Sequence, residues 1–288
     1  MANKLRDLVG PGRLASVMSA HNPLSARLAE LAGFDAIWAS GFELSAAYDV
    51  PDASLLSFTQ HLDMTRAIVE QVSAPVVADL DTGYGNAINV MHVVAAYARA
   101  GVAAVVIEDK TFPKDTSLLA GGRQDLVRVE EFQGKIAAAQ AASPNHDVLV
   151  IARTEALIAD LGLEEALRRA HAYAEAGADM ILVHSKRRTP DEIVSFAQRW
   201  PKATRLVVVP TAYPDLTEAK IRELGTIGMV IYGNHAIRAA VTAMRQVFAE
   251  IRADGGIRNV DQRIASVEDI FDLQRVADMK RAEKDYLR

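Results

Sequence analysis

Short, continuously apolar runs alternate along this 288-residue chain with segments whose apolar positions recur every three or four residues. The runs are Leu14–Ser19, Ala36–Ser40, Val76–Leu80, Ala103–Glu108, Val148–Arg153, Met180–His184, Leu206–Pro210 and Met229–Tyr232. Runs without alternation suit parallel strands buried on both faces. The intervening segments read as amphipathic helices, as in Leu163–Ala176, set between Gly162 and Gly177. One junction recurs: Leu31-Ala-Gly-Phe-Asp-Ala-Ile-Trp38, Arg99-Ala-Gly-Val-Ala-Ala-Val-Val106 and Glu175-Ala-Gly-Ala-Asp-Met-Ile-Leu182, with Glu223-Leu-Gly-Thr-Ile-Gly-Met-Val230 a looser copy. Each is a helix end, a glycine just past it, a tight loop and the next strand. Eight strands with intervening helices predict an α/β (β/α)8 barrel of the TIM type, one domain over 1–288. An open doubly wound sheet is the alternative.

Two stretches break the rhythm. From Lys110 to about Val129 apolar periodicity disappears and Pro113, Gly121 and Gly122 intervene, so a lid of about 110–129 should follow the fourth strand. A long helix, Ala236–Asp254, ends at Gly255-Gly256, and an extension of about 256–288 follows. There Ser266-Val-Glu-Asp269 resembles a capping box opening a helix through Val276. Its apolar face of Ile270, Phe271, Leu273 and Val276 must be covered, either by its own barrel or by a neighbouring subunit. Lys280–Arg288 reads as a solvated end.

Composition narrows the function classes. Half the residues are apolar, the net charge is −5 and basic residues do not cluster, so nucleic acid is an unsuitable partner. There is no cysteine, which excludes disulfides, thiolate metal sites and cysteine nucleophiles. No signal-like N-terminus or membrane-length apolar run is present, and a cytoplasmic protein is expected.

In such a barrel the chemistry sits where the strands end. Those positions hold Trp38 and Ser40, Asp79 and Asp81, Glu108 and Asp109, Arg153 and Glu155, His184 and Ser185, Thr211 and Asn234. Asp79 and Asp81, two apart on a strand, should point to one face of an otherwise apolar segment. Paired carboxylates in such a place call for a positive partner, and hard oxygen ligands suit magnesium. The ion would act as a Lewis acid on a bidentate 2-oxo acid, with Arg153 supplying a fixed positive charge. Competing motifs are weaker. Asp81-Thr-Gly occurs once, where an aspartic protease needs two copies, and Gly83-Tyr-Gly85 lacks a third phosphate-loop glycine because position 88 is Ile. His21, His61, His92, His146, His171 and His235 read as structural or exposed, and Lys186-Arg-Arg188 as the solvated start of a helix.

Trp38-Ala-Ser-Gly41, Asp79-Leu-Asp-Thr-Gly-Tyr-Gly85, Glu108-Asp-Lys-Thr-Phe-Pro-Lys114, Ile151-Ala-Arg153 and Val183-His-Ser-Lys186 together resemble the phosphoenolpyruvate mutase/isocitrate lyase superfamily over nearly the whole chain. The lyase branch carries a catalytic cysteine that this chain lacks. The resemblance implies Mg2+, with Mn2+ or Co2+ as substitutes, held directly by Asp79 and through water by Asp52, Asp81 and Glu108. It implies that Trp38, Ser40, Gly41 and Phe42 bind the substrate, and that Arg153 and His184 contact the transferring phosphoryl group. Lys114, Thr116 and Ser117 would sit on a gating loop, with Lys114 and Thr116 catalytic and Ser117 substrate-binding. The implied substrate is a small anionic 2-oxo acid phosphonate. The eighth helix would swap between subunits of a homodimer or a dimer of dimers.

One loop position chooses the reaction. Mutases of the family place asparagine where this chain has Thr116, and threonine there is the pattern of the hydrolytic branch. The expected reaction is hydrolysis of the P–C bond of phosphonopyruvate to pyruvate and phosphate through a magnesium-stabilised enolate. Phosphonopyruvate/phosphoenolpyruvate mutase activity is the alternative, and a C–C hydrolase or lyase acting on oxaloacetate-like acids is a further one.

Overall fold

A computed structural model describes residues 1–143, 147–201 and 204–288. The sequence-read histidine at position 146 lies outside the described residues. The chain separates into two compact units, Met1–Ile237 and Arg238–Arg288.

The first unit is a closed barrel of eight parallel strands in sequential order. The strands are β1 (Ala15–Ala20), β2 (Ala36–Ala39), β3 (Val76–Asp79), β4 (Ala104–Glu108), β5 (Leu149–Thr154), β6 (Met180–Val183), β7 (Arg205–Val208) and β8 (Ile227–Tyr232). Each lies within two residues of its predicted bounds, because a strand buried on both faces leaves an unbroken apolar run. β8 pairs with β1 and closes the sheet, leaving no open edge.

The barrel interior is one apolar cluster, including Val17, Trp38, Val77, Val106, Ile151, Leu182, Val207 and Ile231. α1 (Ala2–Val9) adds Leu5 and Val9 to that cluster and so plugs one end. Lys4 bonds the Ser73 carbonyl ahead of β3, and Arg6 pairs with Asp179 ahead of β6, which puts the plug at the N-terminal end of the strands. The opposite end stays open for chemistry.

The helices between strands are α2 (Pro23–Leu31), α3 (Gly41–Ala47), α4 (Phe58–Gln71), α5 (Ala87–Ala100), α6 (Val129–Ala141), α7 (Gly162–Glu175), α8 (Asp191–Arg199) and α9 (Glu218–Leu224). The repeated junction is real: Gly33, Gly101, Gly177 and Gly225 all have positive φ. At Gly101, left-handed at φ 86°, the N–H returns to the Ala98 and Tyr97 carbonyls and ends α5. Lys186–Arg188 precede α8 instead of opening it. Lys186 and Arg187 pair with Asp160, and this anchors them in the loop.

α10 (His235–Asp254) begins at the end of the first unit and runs on into the second, followed by α11 (Arg258–Asp261), α12 (Val267–Leu273) and α13 (Val276–Tyr286). The Ser266 capping box is present. The expected single helix through Val276 is broken instead, because Arg275 turns left-handed at φ 57°. The expected solvated end is helical as far as Tyr286, with exposed side chains on most positions. Ile270 and Phe271 of the predicted apolar face are exposed. Among the described residues no helix is long and apolar enough to cross a membrane.

Candidate active site

At the open end of the barrel, β2 runs through Ser40 into α3. Ser40 caps that helix, its Oγ accepting the Glu43 N–H at 3.2 Å. The next amide, Gly41 N–H, donates to Asp79 Oδ2 at 3.2 Å. A side chain at Gly41 would put its Cβ 3.1 Å from Asp81 Oδ1 and 3.2 Å from Asp79 Oδ2. Glycine here therefore keeps open the space in front of both carboxylates.

The two aspartates do not share a strand face as their spacing suggested. β3 ends at Asp79, and Leu80, fully buried, continues toward the outer core. Asp81 is left-handed at φ 50°, and Gly83, at φ 87°, donates its N–H to the Leu80 carbonyl. This turn folds Asp81 back so that its N–H meets Asp79 Oδ1 at 3.3 Å. Lys135 of α6, almost fully buried, fixes the turn from below by donating to the Thr82 carbonyl at 3.0 Å.

The segment after β4 packs over this end. It has no regular structure beyond a bridge between Lys110 and Leu126. Lys114 Nζ lies 2.6 Å from Asp81 Oδ1 and 3.2 Å from Asp52 Oδ1. Thr116 Oγ1 is 2.8 Å from the Asp52 carbonyl and 3.1 Å from Asp52 Oδ2. From β5, Arg153 Nε reaches Glu155 Oε1 at 2.6 Å and Glu108 Oε2 at 3.2 Å, while its Nη2 reaches Ser117 Oγ at 2.8 Å and His184 Nδ1 at 3.2 Å.

Electrostatics follow from burial and crowding. Burial disfavours charge on Lys114, but Asp52, Asp81, Glu108 and Asp79 hold its proton well above the usual lysine range. Burial raises Asp79 and pushes Asp81 up to about 7, with neighbouring carboxylates adding to both and Lys114 opposing. Burial, opposed by Glu155 and helped by Arg153, lowers His184. Arg153 can only donate, so Nδ1 accepts and the ring proton sits on Nε2. That Nε2 is buried without a partner. It is a donor held ready for an incoming acceptor.

Ten of the predicted site residues line one cavity of about 330 Å3: Trp38, Ser40, Phe42, Asp52, Asp79, Lys114, Thr116, Ser117, Arg153 and His184. Gly41, Asp81 and Glu108 stand behind it, joined to it through Asp79, Lys114 and Arg153. Leu118, Leu119, Val209, Thr211, Ile231, Gly233 and Asn234 complete the wall. Lys110 and Glu155 carry much of the hydrogen bonding, yet the sequence reading gave neither a role. Glu155 ends a strand, so its position was a signal. Lys110 hides in a segment without periodicity.

The residues fit a divalent cation bound by one carboxylate directly and by others at longer range. Carboxylates outnumber cationic groups here, and Glu108 Oε1 is buried with no hydrogen-bond partner. Among the described residues no three acids or histidines stand close enough to ligate an ion together. The hard carboxylate oxygens of Asp79 and Glu108 suit magnesium.

Comparison with known proteins agrees with this geometry. The family model described as phosphoenolpyruvate phosphomutase matches residues 5–252. The chain is 61% identical over 284 residues to phosphonopyruvate hydrolase of Variovorax sp. (strain Pal2), covering 99% of this chain and 98% of that protein. It is 41% identical to phosphoenolpyruvate phosphomutase of Tetrahymena pyriformis, covering 99% and 94%. The crystal structure of phosphonopyruvate hydrolase in complex with oxalate and Mg2+ superposes with a TM-score of 0.95 at 59% identity, covering 100% of this chain and 99% of that one. Barrel, site and matched length converge on one conclusion: the chain belongs to the phosphoenolpyruvate phosphomutase family.

Proposed function

We propose that this chain hydrolyses the P–C bond of phosphonopyruvate, giving pyruvate and phosphate. The observation that carries the reading is Thr116. It stands on the segment that covers the cavity, and its hydroxyl is turned to Asp52. An asparagine amide there could grip a phosphoryl group while the enolate turned beneath it. Threonine offers no such amide. Its hydrogen goes to Asp52, and its lone pairs remain for a water. The likeness to phosphonopyruvate hydrolase exceeds that to the phosphomutase, 61% against 41%.

Asp79 would hold Mg2+ directly, and Asp52, Asp81 and Glu108 through water. When bound, the ion supplies Lewis-acid stabilisation to the 2-oxo acid and its enolate. The chain's own groups do the rest. Ser40 and the Phe42 amide orient the substrate carboxylate, while the Gly41 amide is engaged by Asp79. Arg153 and the Nε2–H of His184 bind the phosphonate oxygens and spread the charge that develops as the P–C bond stretches. Lys114 keeps a positive charge beside Asp52 and Asp81. Water held at Thr116 attacks phosphorus, and the closed segment excludes other water. The electron pair of the broken bond stays on the former C3 as enolate, which then takes a proton to become pyruvate. We further propose a homodimer or a dimer of dimers, supported by the exposed apolar positions of α12.

The test is phosphorus NMR of phosphonopyruvate incubated with the protein and Mg2+. Inorganic phosphate as the product supports the reading, and phosphoenolpyruvate overturns it in favour of a mutase. Thr116→Asn should lower hydrolysis by at least about tenfold, since one positioned group for proton or water handling is worth that much or more. Undiminished hydrolysis would remove Thr116 as the deciding residue.

A further inference from the structure

Ser117 lies on the cavity wall, yet its hydroxyl has nothing left to give a ligand. A hydroxyl has one hydrogen and two lone pairs. Lys110 Nζ stands 2.9 Å from Oγ, and Arg153 Nη2 stands 2.8 Å away. An ammonium and a guanidinium can only donate, so Oγ accepts from both. Its own hydrogen then goes to Glu155 Oε2, 2.5 Å away.

Lys110 is only 2% exposed and Glu155 is fully buried. Lys110 Nζ also donates to the Asp115 carbonyl at 2.8 Å and lies 3.2 Å from Glu155 Oε2. Glu155 Oε1 holds Arg153 Nε, and the Glu155 backbone N–H is anchored to Asp109 Oδ1 at 2.9 Å. One carboxylate thus grips Arg153 with one oxygen and the covering segment with the other.

We propose that Lys110 and Glu155 are positioning residues that latch Ser117 of the lid over Arg153, so that lid closure and the aim of the arginine are set by one buried ion pair. Ser117 then serves as the strike of the latch and makes no direct contact with substrate. This inference rests on the hydrolase reading only in taking phosphonate as the ligand of Arg153. A buried pair suits the task, because its partners cannot exchange for water without leaving a charge uncompensated.

The experiment compares Lys110→Met, Ser117→Ala and the double variant, each checked for folding by circular dichroism and thermal melting. Two quantities are read: KM and kcat for phosphonopyruvate with Mg2+, and the rate of trypsin cleavage after Arg123 in the ligand-free protein, followed by mass spectrometry. Arg123 is an exposed lid residue, its side chain half accessible. Each single variant should speed that cleavage and lower kcat/KM by roughly 10- to 100-fold, the scale of loss when a group at the reacting centre is misplaced by about 1 Å. The double variant should be no worse than the worse single, since both act through one network. Unchanged cleavage after Arg123 with a raised KM in Ser117→Ala makes Ser117 a direct ligand and overturns the latch. So do additive losses in the double variant. If Lys110→Met fails to fold, Ser117→Ala alone still separates these outcomes. If phosphonopyruvate is not a substrate, the cleavage rates of the free protein still test the latch.

Discussion

At the scale of single residues, the polar groups that matter are those whose bonding leaves one atom aimed into the cavity. His184 is the clearest case, with its tautomer set by a guanidinium. His61 offers a contrast that can be measured. It is buried on α4, with Nδ1 2.7 Å from the Tyr97 hydroxyl, and burial together with the charge of Lys114 lowers its pKa to about 4 while Asp52 opposes. In the unfolded chain it would titrate near 6.5. Its neutral burial therefore contributes stability that is complete above about pH 6.5. Between there and about pH 4 that stability is lost, because the unfolded state takes up the proton first, and the loss amounts to roughly 3 kcal/mol. Asp81 has the opposite sign. Its raised folded pKa favours the folded state as pH falls. Urea titrations of the wild type and His61→Gln at pH 7.5 and pH 4.5 isolate the histidine. The wild type should lose more stability on acidification than the variant, and equal losses would contradict the assignment.

At the scale of elements, the strands were legible because burial on both faces writes an uninterrupted apolar run, and the αβ junctions because a left-handed helix end asks for glycine. The turn after β3 was not. Two carboxylates at i and i+2 satisfy a strand pattern, and only the left-handed backbone of Asp81 and Gly83 shows that a turn joins them. Helix breaks such as the one at Arg275 are equally hidden, since arginine is a good helix former and only tertiary context turns it left-handed. The β3 turn makes a quantitative demand. A Cβ at Gly83 would lie 2.4 Å from Val90 Cγ2, whereas one at Gly121, also at positive φ, would meet nothing within 4 Å. Gly121→Ala should cost only the backbone penalty of roughly 1–2 kcal/mol. Gly83→Ala should cost clearly more by denaturant unfolding, and equal losses would mean that Val90 yields freely.

At the scale of the molecule, sequential strand order places the chemistry on one arc of the rim. The charged residues come from the loop between α3 and α4, which brings Asp52, from the ends of β3 to β6 and from the covering segment, while β7 and β8 contribute Val209, Thr211, Ile231 and Asn234. Barrel logic made this arc readable, because a polar residue ending an apolar run has few other reasons to be there. The network behind it was opaque, since Lys110, Glu155 and Ser117 meet only through the path of the covering segment. The second unit carries a separate expectation. Phe248, Val267, Ile270 and Phe271 are exposed, and a single folded chain rarely leaves such a set bare. Light scattering after size-exclusion chromatography should give a dimer or a tetramer, and a stable monomer would remove that assignment.

Lys114 has a consequence beyond the closed state. On the covering segment it is the counter-charge of Asp52 and Asp81, and an opening of that segment would take it away. With the segment lifted, its ammonium leaves Asp52 and Asp81, and the mouth of the barrel becomes a net acidic bowl that draws cations and repels a trianionic phosphonate. With the segment down, and a divalent cation inside, Lys114, Arg153 and the ion together balance the carboxylates of Asp52, Asp79, Asp81 and Glu108. If the segment opens and closes, gating and order of loading become one electrostatic event, and Mg2+ is expected to bind before the anion.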